Sequence, residues 1–84
     1  MPAIAAFLGI VIRMYFQQAE HNPPHVHASY GDDAAAVAIR GGEVLDGRLP
    51  DRQLRLVQEW VSMHEEELPQ MWQTQRFHKV RPLG

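Results

Sequence analysis

The sequence predicts an α+β fold, in which a three- to four-stranded antiparallel sheet has one face covered by a C-terminal helix. In the first half of the chain, apolar residues alternate with period two, which is typical of strands with one buried face. In the second half they recur at steps of three and four, as on an amphipathic helix. Because the strands precede the helix, we expect it to pack on one face of their sheet.

The length and composition favour one domain with a single core. The chain has 84 residues, of which 45% are hydrophobic and 21% charged. We divide it into an N-terminal segment (1–7), a sheet (8–48), a helical region (50–77) and a tail (78–84). The absence of cysteine excludes disulfides and thiolate chemistry.

The chain carries no signal for a membrane or for broad binding to nucleic acid. No segment approaches the roughly 20 apolar residues that a membrane-spanning helix needs, and the apolar start lacks the basic region of a signal peptide. We therefore expect a cytoplasmic protein. The net charge of -2 argues against binding to nucleic acid driven by overall charge alone.

The first strand is predicted over residues 8–16. The apolar positions are expected to face the helix, while the intervening positions face away from it. The first set is Leu8, Ile10, Ile12, Met14 and Phe16, and the second is Gly9, Val11, Arg13 and Tyr15.

Two prolines make residues 17–24 a stiff connecting loop, which contains His21. The second strand runs from about His25 to Tyr30. Its alternation places Val26 and Ala28 on one face and His25 and His27 on the other.

Two further strands and the helix complete the fold. A turn at 31–33 leads to a third strand with Ala35, Val37 and Ile39 on one face, and the Gly41-Gly42 pair then predicts a hairpin to a short fourth strand at 43–47. The helix begins near Pro50. We expect Pro69 to kink or break it near Glu67, with residues 71–75 continuing as a short second helix.

This arrangement predicts a chemical site on the sheet face away from the helix. If Val26 and Ala28 face the core, a pairing of Arg13 with His27 and of Tyr15 with His25 brings these four side chains together. Arginine can hold a phosphate, one histidine can accept a proton from a 2′-hydroxyl, and the other histidine or the tyrosine can protonate the leaving oxygen. The first hypothesis is therefore an enzyme that acts on RNA through His25, His27, Arg13 and Tyr15.

A second hypothesis uses the histidines as metal ligands. His25 and His27 lie two residues apart on a strand, and His21 on the loop could complete a three-histidine site for a divalent metal such as zinc. In a third interpretation the cluster is structural, and His21 or His25 binds the carbonyls that the prolines leave without N–H partners.

The sequence does not decide between an enzyme and a non-catalytic module that binds another protein. A small sheet with one open face and unpaired edges favours association, so a homodimer is compatible with either class. His64, on the apolar side of the helix, is interpreted as a residue at the edge of the core with a hydrogen-bonded ring.

Four motifs resemble one known family. They are Gly9-Ile10-Val11-Ile12-Arg13-Met14-Tyr15-Phe16, His21-Asn22-Pro23-Pro24-His25-Val26-His27, Gly42-Glu43-Val44-Leu45-Asp46-Gly47-Arg48-Leu49-Pro50, and the helix with Trp60 and His64. In this order they resemble the small bacterial proteins of domain-of-unknown-function family 4160. The resemblance implies an uncharacterised component of a toxin–antitoxin-like gene pair, with a small partner protein encoded nearby. The chain departs from the family in having Pro69 within the helix and the run Ala34-Ala35-Ala36 in a strand.

Overall fold

The computed structural model describes residues 3–15 and 23–83, which form an antiparallel sheet followed by two helices. The strands are β1 (Ala3–Phe7), β2 (Ile10–Arg13), β3 (His25–Tyr30), β4 (Asp33–Ala38) and β5 (Val44–Arg48), and the helices are α1 (Asp51–Met63) and α2 (Glu67–Thr74). The strands lie side by side in chain order. The predicted α+β class is confirmed, but the described residues form five strands rather than three or four.

The additional strand comes from residues that were assigned to an N-terminal segment outside the sheet. The first two residues of the strand predicted over 8–16, Leu8 and Gly9, are not in a strand. They have φ angles of 52° and 81° and join β1 to β2 in a tight hairpin. Two consecutive residues with positive φ are typical of the hairpin turns whose twist matches that of paired strands. Phe7 pairs with Ile10 across this turn, and both are buried although they lie three residues apart, so the phase of the alternation changes here. The turn is hidden in the sequence because Leu8 is apolar and lies two residues before Ile10, which makes it look like the first inward position of β2. Leu8, predicted to be buried, is exposed, and Phe16 lies outside the described residues.

Two faces of the sheet can be distinguished by burial. Ile10, Ile12, Val26, Ala28 and Val37 are buried beneath the helices, as the alternation predicts. The opposite face, here called the outer face, carries the residues between them. Its members include Val11, Arg13, His25, His27, Ser29, Ala36, Ala38 and Asp46.

The helices cover the inner face through a small set of large side chains. Trp60 of α1 is fully buried, with its ring centroid 6.0 Å from that of Phe7. Truncating a buried aromatic side chain of this size to alanine typically lowers the free energy of unfolding by about 3 to 5 kcal/mol, so Trp60 contributes strongly to stability. Within the described parts of the chain, no helix is both long and apolar enough to cross a membrane.

Two helices form, as predicted, and the break between them lies just before Glu67, but Pro69 does not produce it. α1 ends at Met63, a turn occupies 64–66, and α2 begins at Glu67. Pro69 is therefore the third residue of α2. The N–H groups of a first helical turn have no intrahelical acceptor, so the proline causes no loss there.

The C-terminal segment, residues 76–83, is attached to the domain at several points, although part of it was predicted to be a tail. The Val80 N–H donates to the Ile4 carbonyl over 2.7 Å, on β1, the first strand of the sheet. The Arg81 carbonyl accepts from the Trp60 indole N–H at 2.8 Å and from His64 Nε2 at 2.9 Å. These bonds join the end of the chain to both the sheet and α1.

Gly47 is expected to be essential for the pairing of β5 with β4. It has a φ of +75°, and a Cβ atom at this position would overlap the Ala34 carbonyl oxygen. We predict that Gly47→Ala lowers the free energy of unfolding by at least about 3 kcal/mol, from backbone strain and overlap together. Urea denaturation provides the measurement.

Gly31→Ala is the matched control, because Gly31 also has a positive φ, +59°, but no atom within 4 Å of the added Cβ. It should cost only about 1 kcal/mol, from the left-handed conformation. Equal losses for the two variants would contradict the importance of the close approach to Ala34.

Candidate functional site

The outer face brings together the four residues that were predicted to form a catalytic site. Arg13 and His27 are direct partners in the pairing of β2 with β3, as predicted. Tyr15 lies beyond the last residue of β2, so it does not oppose His25 in the ladder. Its ring instead packs edge-on against His27, with 4.5 Å between the ring centroids. The predicted constellation is therefore formed, with Tyr15 beside His27 rather than opposite His25.

A hydrogen bond from the proline loop orients His25. Its Nδ1 lies 2.8 Å from the Pro23 carbonyl oxygen, which can only accept, so Nδ1 carries the proton. This bond leaves Nε2 as the nitrogen available to a substrate. The His25 ring lies 5.0 Å from His27 and 5.0 Å from Trp72 of α2, measured between ring centroids.

A single cross-strand row places charges on both sides of His27. Successive pairings align Arg13, His27, Ala36 and Asp46 across β2 to β5. The Arg13 guanidinium also donates to the Ser29 hydroxyl over 3.5 Å, which helps to hold it along the outer face. Because Ala36 has only a methyl group, no large side chain separates His27 from Asp46. Both histidines, Arg13 and Tyr15 are partly exposed, so a ligand can reach the row.

Sequence reasoning missed Asp46 and Trp72 as neighbours of the histidines. Asp46 reaches this row only because a bulge in the pairing of β4 with β5, between Ala36 and Val37, shifts the register. Trp72 reaches His25 because α2 extends towards the start of β3. The Gly41-Gly42 hairpin indicated that β5 pairs with β4, but no sequence signal located the bulge.

The environment of His27 disfavours its protonated form. Burial is the main cause of its lowered pKa, the charge of His25 lowers it further, and Asp46 acts in the opposite direction. The neutral form of His27, which has a ring nitrogen free to accept a proton, is therefore favoured at pH 7. Two adjacent imidazoles, of which one hinders protonation of the other, are suited to opposite roles in proton transfer.

The structure describes two of the three histidines of the metal hypothesis, His25 and His27. His21 lies outside the described residues, and residues 3–15 and 23–83 contain no group of three histidine, aspartate or glutamate side chains that could hold a metal ion. His25 already uses Nδ1 for the Pro23 carbonyl, as the structural interpretation of the cluster predicts. A metal ion would have to bind its Nε2.

The other histidines have structural contacts away from the outer face. His64 lies at the edge of the core, as predicted, with its ring 5.1 Å from Trp60 and Nε2 bonded to the Arg81 carbonyl. Glu67 lies between His64 and His78, at 3.5 Å from a ring nitrogen of each. This second cluster ties the C-terminal segment to the helices.

The lowered pKa of His27 predicts a pH dependence of stability. Between that pKa and the ordinary value of 6.5, the unfolded chain binds more protons at this residue than the folded chain. The free energy of unfolding should therefore decrease as the pH falls from about 7 through this interval. In the His27→Asn variant, the part of this decrease that comes from His27 should be absent. Urea denaturation at a series of pH values measures the effect.

His78→Asn is the control, because His78 is exposed and its ring contacts Glu67 and the Lys79 carbonyl rather than residues of the outer face. A titration followed by NMR should also show that His25→Asn raises the pKa of His27 and that Asp46→Asn lowers it further. If His27 titrates at or above 6.5 in the folded protein, this description of the site is wrong.

The family relationship agrees with the motifs along the chain. Residues 9–73 match the family described as "Domain of unknown function (DUF4160)", a segment that includes β2 to β5, α1 and most of α2. Neither a curated protein nor a solved structure matches the chain. Because the match extends over most of the sequence, the chain belongs to the DUF4160 family.

Proposed function

We propose that this protein binds RNA on its outer face and cleaves it by metal-independent general acid–base catalysis. One observation carries the proposal: the His25 and His27 rings lie 5.0 Å apart, and Arg13 is the cross-strand partner of His27, whose pKa is lowered. General acid–base catalysis requires one group that accepts and one that donates a proton near neutral pH. His27 and His25 meet this requirement in a partly exposed position.

In the proposed reaction, a ring nitrogen of His27 takes the proton of a ribose 2′-hydroxyl. The 2′-oxygen then forms a bond to the adjacent phosphorus, and the bond from phosphorus to the 5′-oxygen breaks. The leaving 5′-oxygen receives a proton from Nε2 of His25 in its imidazolium form, or from the Tyr15 hydroxyl. The products are a 2′,3′-cyclic phosphate and a 5′-hydroxyl. Exchange with water then removes the proton from His27 and returns one to the group that acted as the acid.

Arg13 supplies the charge that the reaction needs at phosphorus. Its guanidinium can donate two parallel hydrogen bonds to phosphate oxygens, which fixes the phosphate next to His27. Since the chain as a whole is slightly acidic, binding depends on this local cation rather than on net charge. Asp46, on the other side of His27, favours the imidazolium that forms when His27 accepts the proton.

The resemblance stated for the four motifs suggests a biological setting. As the RNA-cleaving component of a toxin–antitoxin-like pair, the protein acts on cytoplasmic RNA and is restrained by a small partner encoded nearby.

Purified protein should cleave a fluorescent 12-nucleotide RNA in the presence of EDTA. We expect His27→Ala and His25→Ala each to reduce the cleavage rate by about 100-fold or more, which is typical for the loss of a general acid or base. His78→Ala should cleave like the wild type. The same oligonucleotide with 2′-O-methyl groups should remain intact, because it lacks the attacking hydroxyl.

A bacterial host provides an independent test. Induction of the wild type and of His78→Ala should slow growth and fragment RNA, whereas the His25→Ala, His27→Ala double variant should do neither. Equal growth with intact RNA in all three cultures would exclude a toxic ribonuclease. Cleavage that EDTA abolishes and zinc restores would favour the metal hypothesis with His21, His25 and His27.

A second candidate function is non-catalytic binding of a protein, which the edge strand β5 favours. Four of its five residues are exposed, and Leu45 is 38% exposed. At the opposite edge, β1 already bonds to Val80. An open edge strand can pair with a strand of another chain. The occupant is a small partner protein or a second copy of this chain.

Light scattering during size-exclusion chromatography tests the second candidate. If β5 forms a homodimer, we expect the wild type to elute at twice the chain mass and Leu45→Pro to elute as a monomer, since proline cannot donate to a strand ladder. Leu8→Asn is the control, because it replaces an exposed leucine away from β5 with a residue that tolerates the positive φ of this turn. A monomeric wild type that also fails to bind the product of the adjacent gene would exclude this candidate.

A further inference from the structure

A groove adjoins the outer face where α2 meets the sheet. It encloses about 550 Å³ between the loop before β3, the end of β4 and one side of α2. The Ile39 N–H donates to the Pro24 carbonyl over 2.9 Å, which extends the pairing of β3 and β4 into the floor of the groove. A volume in this range is typical of sites for small organic ligands.

The groove continues the series of aromatic rings on the outer face. Tyr15, His27, His25 and Trp72 follow one another with centroid separations of 4.5, 5.0 and 5.0 Å. Ala38, which pairs with His25 across the strands, also lines the groove, so only a methyl group lies there. A ligand bound at the histidines can therefore extend into the groove without crossing a large side chain.

The lining of the groove combines flat apolar surfaces with one cation and one amide. Three prolines and Trp72 supply rigid apolar walls, while the exposed residues Arg40 and Gln73 supply the polar groups. A nucleotide has matching chemistry: a flat base that packs against rings, a base edge that hydrogen-bonds to an amide, and a phosphate that pairs with a guanidinium.

We propose that this groove is a nucleotide subsite, which holds the base next to the phosphate bound at His25 and His27. The inference rests on the proposed function and narrows its substrate to single-stranded RNA. A base can enter the groove only when it is unpaired, because the bases of a duplex are stacked inside the helix. Arg13, which pairs with His27, and Arg40, which lines the groove together with Trp72, bind successive parts of one RNA strand.

Binding of a 2′-O-methyl hexanucleotide, which cannot be cleaved by this route, tests the proposal in the full chain. By fluorescence anisotropy, Arg40→Ala should raise Kd about tenfold, the low end for a hydrogen bond to a charged group, and Gln73→Ala should raise it by a smaller factor. Arg55→Ala is the matched control, since Arg55 is exposed on α1 and does not line the groove. The same hexanucleotide annealed to its complement should bind at least about tenfold more weakly.

The two tryptophans provide a second readout by NMR. The indole N–H signal of Trp72 should shift on titration with the hexanucleotide. The signal of Trp60, which is buried and bonded to the Arg81 carbonyl, should not. Together with anisotropy, this readout separates a ligand in the groove from one held elsewhere on the protein.

The outcomes distinguish this inference from the proposed function. If the protein cleaves RNA while Arg40→Ala binds like Arg55→Ala and the Trp72 signal stays fixed, the groove is not a nucleotide subsite. If no RNA is cleaved but the hexanucleotide shifts Trp72 and binding depends on Arg40, the subsite stands and the catalytic proposal fails. A shift of Trp72 with a proline-rich peptide and not with RNA would replace the nucleotide by a peptide ligand and overturn the inference.

Discussion

The burial of Val26 and Ala28 at the centre of the sheet is the constraint on which the candidate site depends. β3 pairs on both sides, and both residues are fully buried. Because successive side chains of a strand alternate between faces, their burial forces His25 and His27 onto the outer face. A shift of one residue would expose both apolar side chains and bury both imidazoles, so the core and the site share one register.

The helices complete the site from the other side of the domain. α1 covers the inner face with Trp60, and the turn at 64–66 directs α2 towards the start of β3, where Trp72 meets His25. The bonds of Trp60 and His64 to the Arg81 carbonyl hold the C-terminal segment near the same turn. The position of Trp72 therefore depends on the packing of α1 against the sheet and on the turn that joins α1 to α2.

His27 combines partial burial with neighbouring charge. Partial burial and the charge of His25 keep it neutral, while Asp46 moderates their effect from two strands away. A fully exposed histidine would titrate near its ordinary pKa, and a fully buried one could not reach a substrate. His27 is only partly buried, so its pKa is lowered while its ring can still be reached by a substrate. The cross-strand partners of His27 and His25 are Ala36 and Ala38, whose small side chains leave both rings partly exposed.

Alternation and turn residues are local properties, so the fold class and the inner and outer positions of β2 and β3 could be predicted from the sequence, and the pairing of Arg13 with His27 followed as a hypothesis that the structure confirms. The turn at Leu8 and Gly9 escaped prediction because Leu8 is apolar and in phase with Ile10, so the alternation of β2 extends into the turn. Nor did the sequence show that Pro69 lies within the first turn of α2, that the β4–β5 pairing has a bulge beside Ala36, or that Trp72 approaches His25. These features arise from contacts between segments that are distant in the sequence, and their geometry depends on how the whole core packs, so no local pattern of residues predicts them.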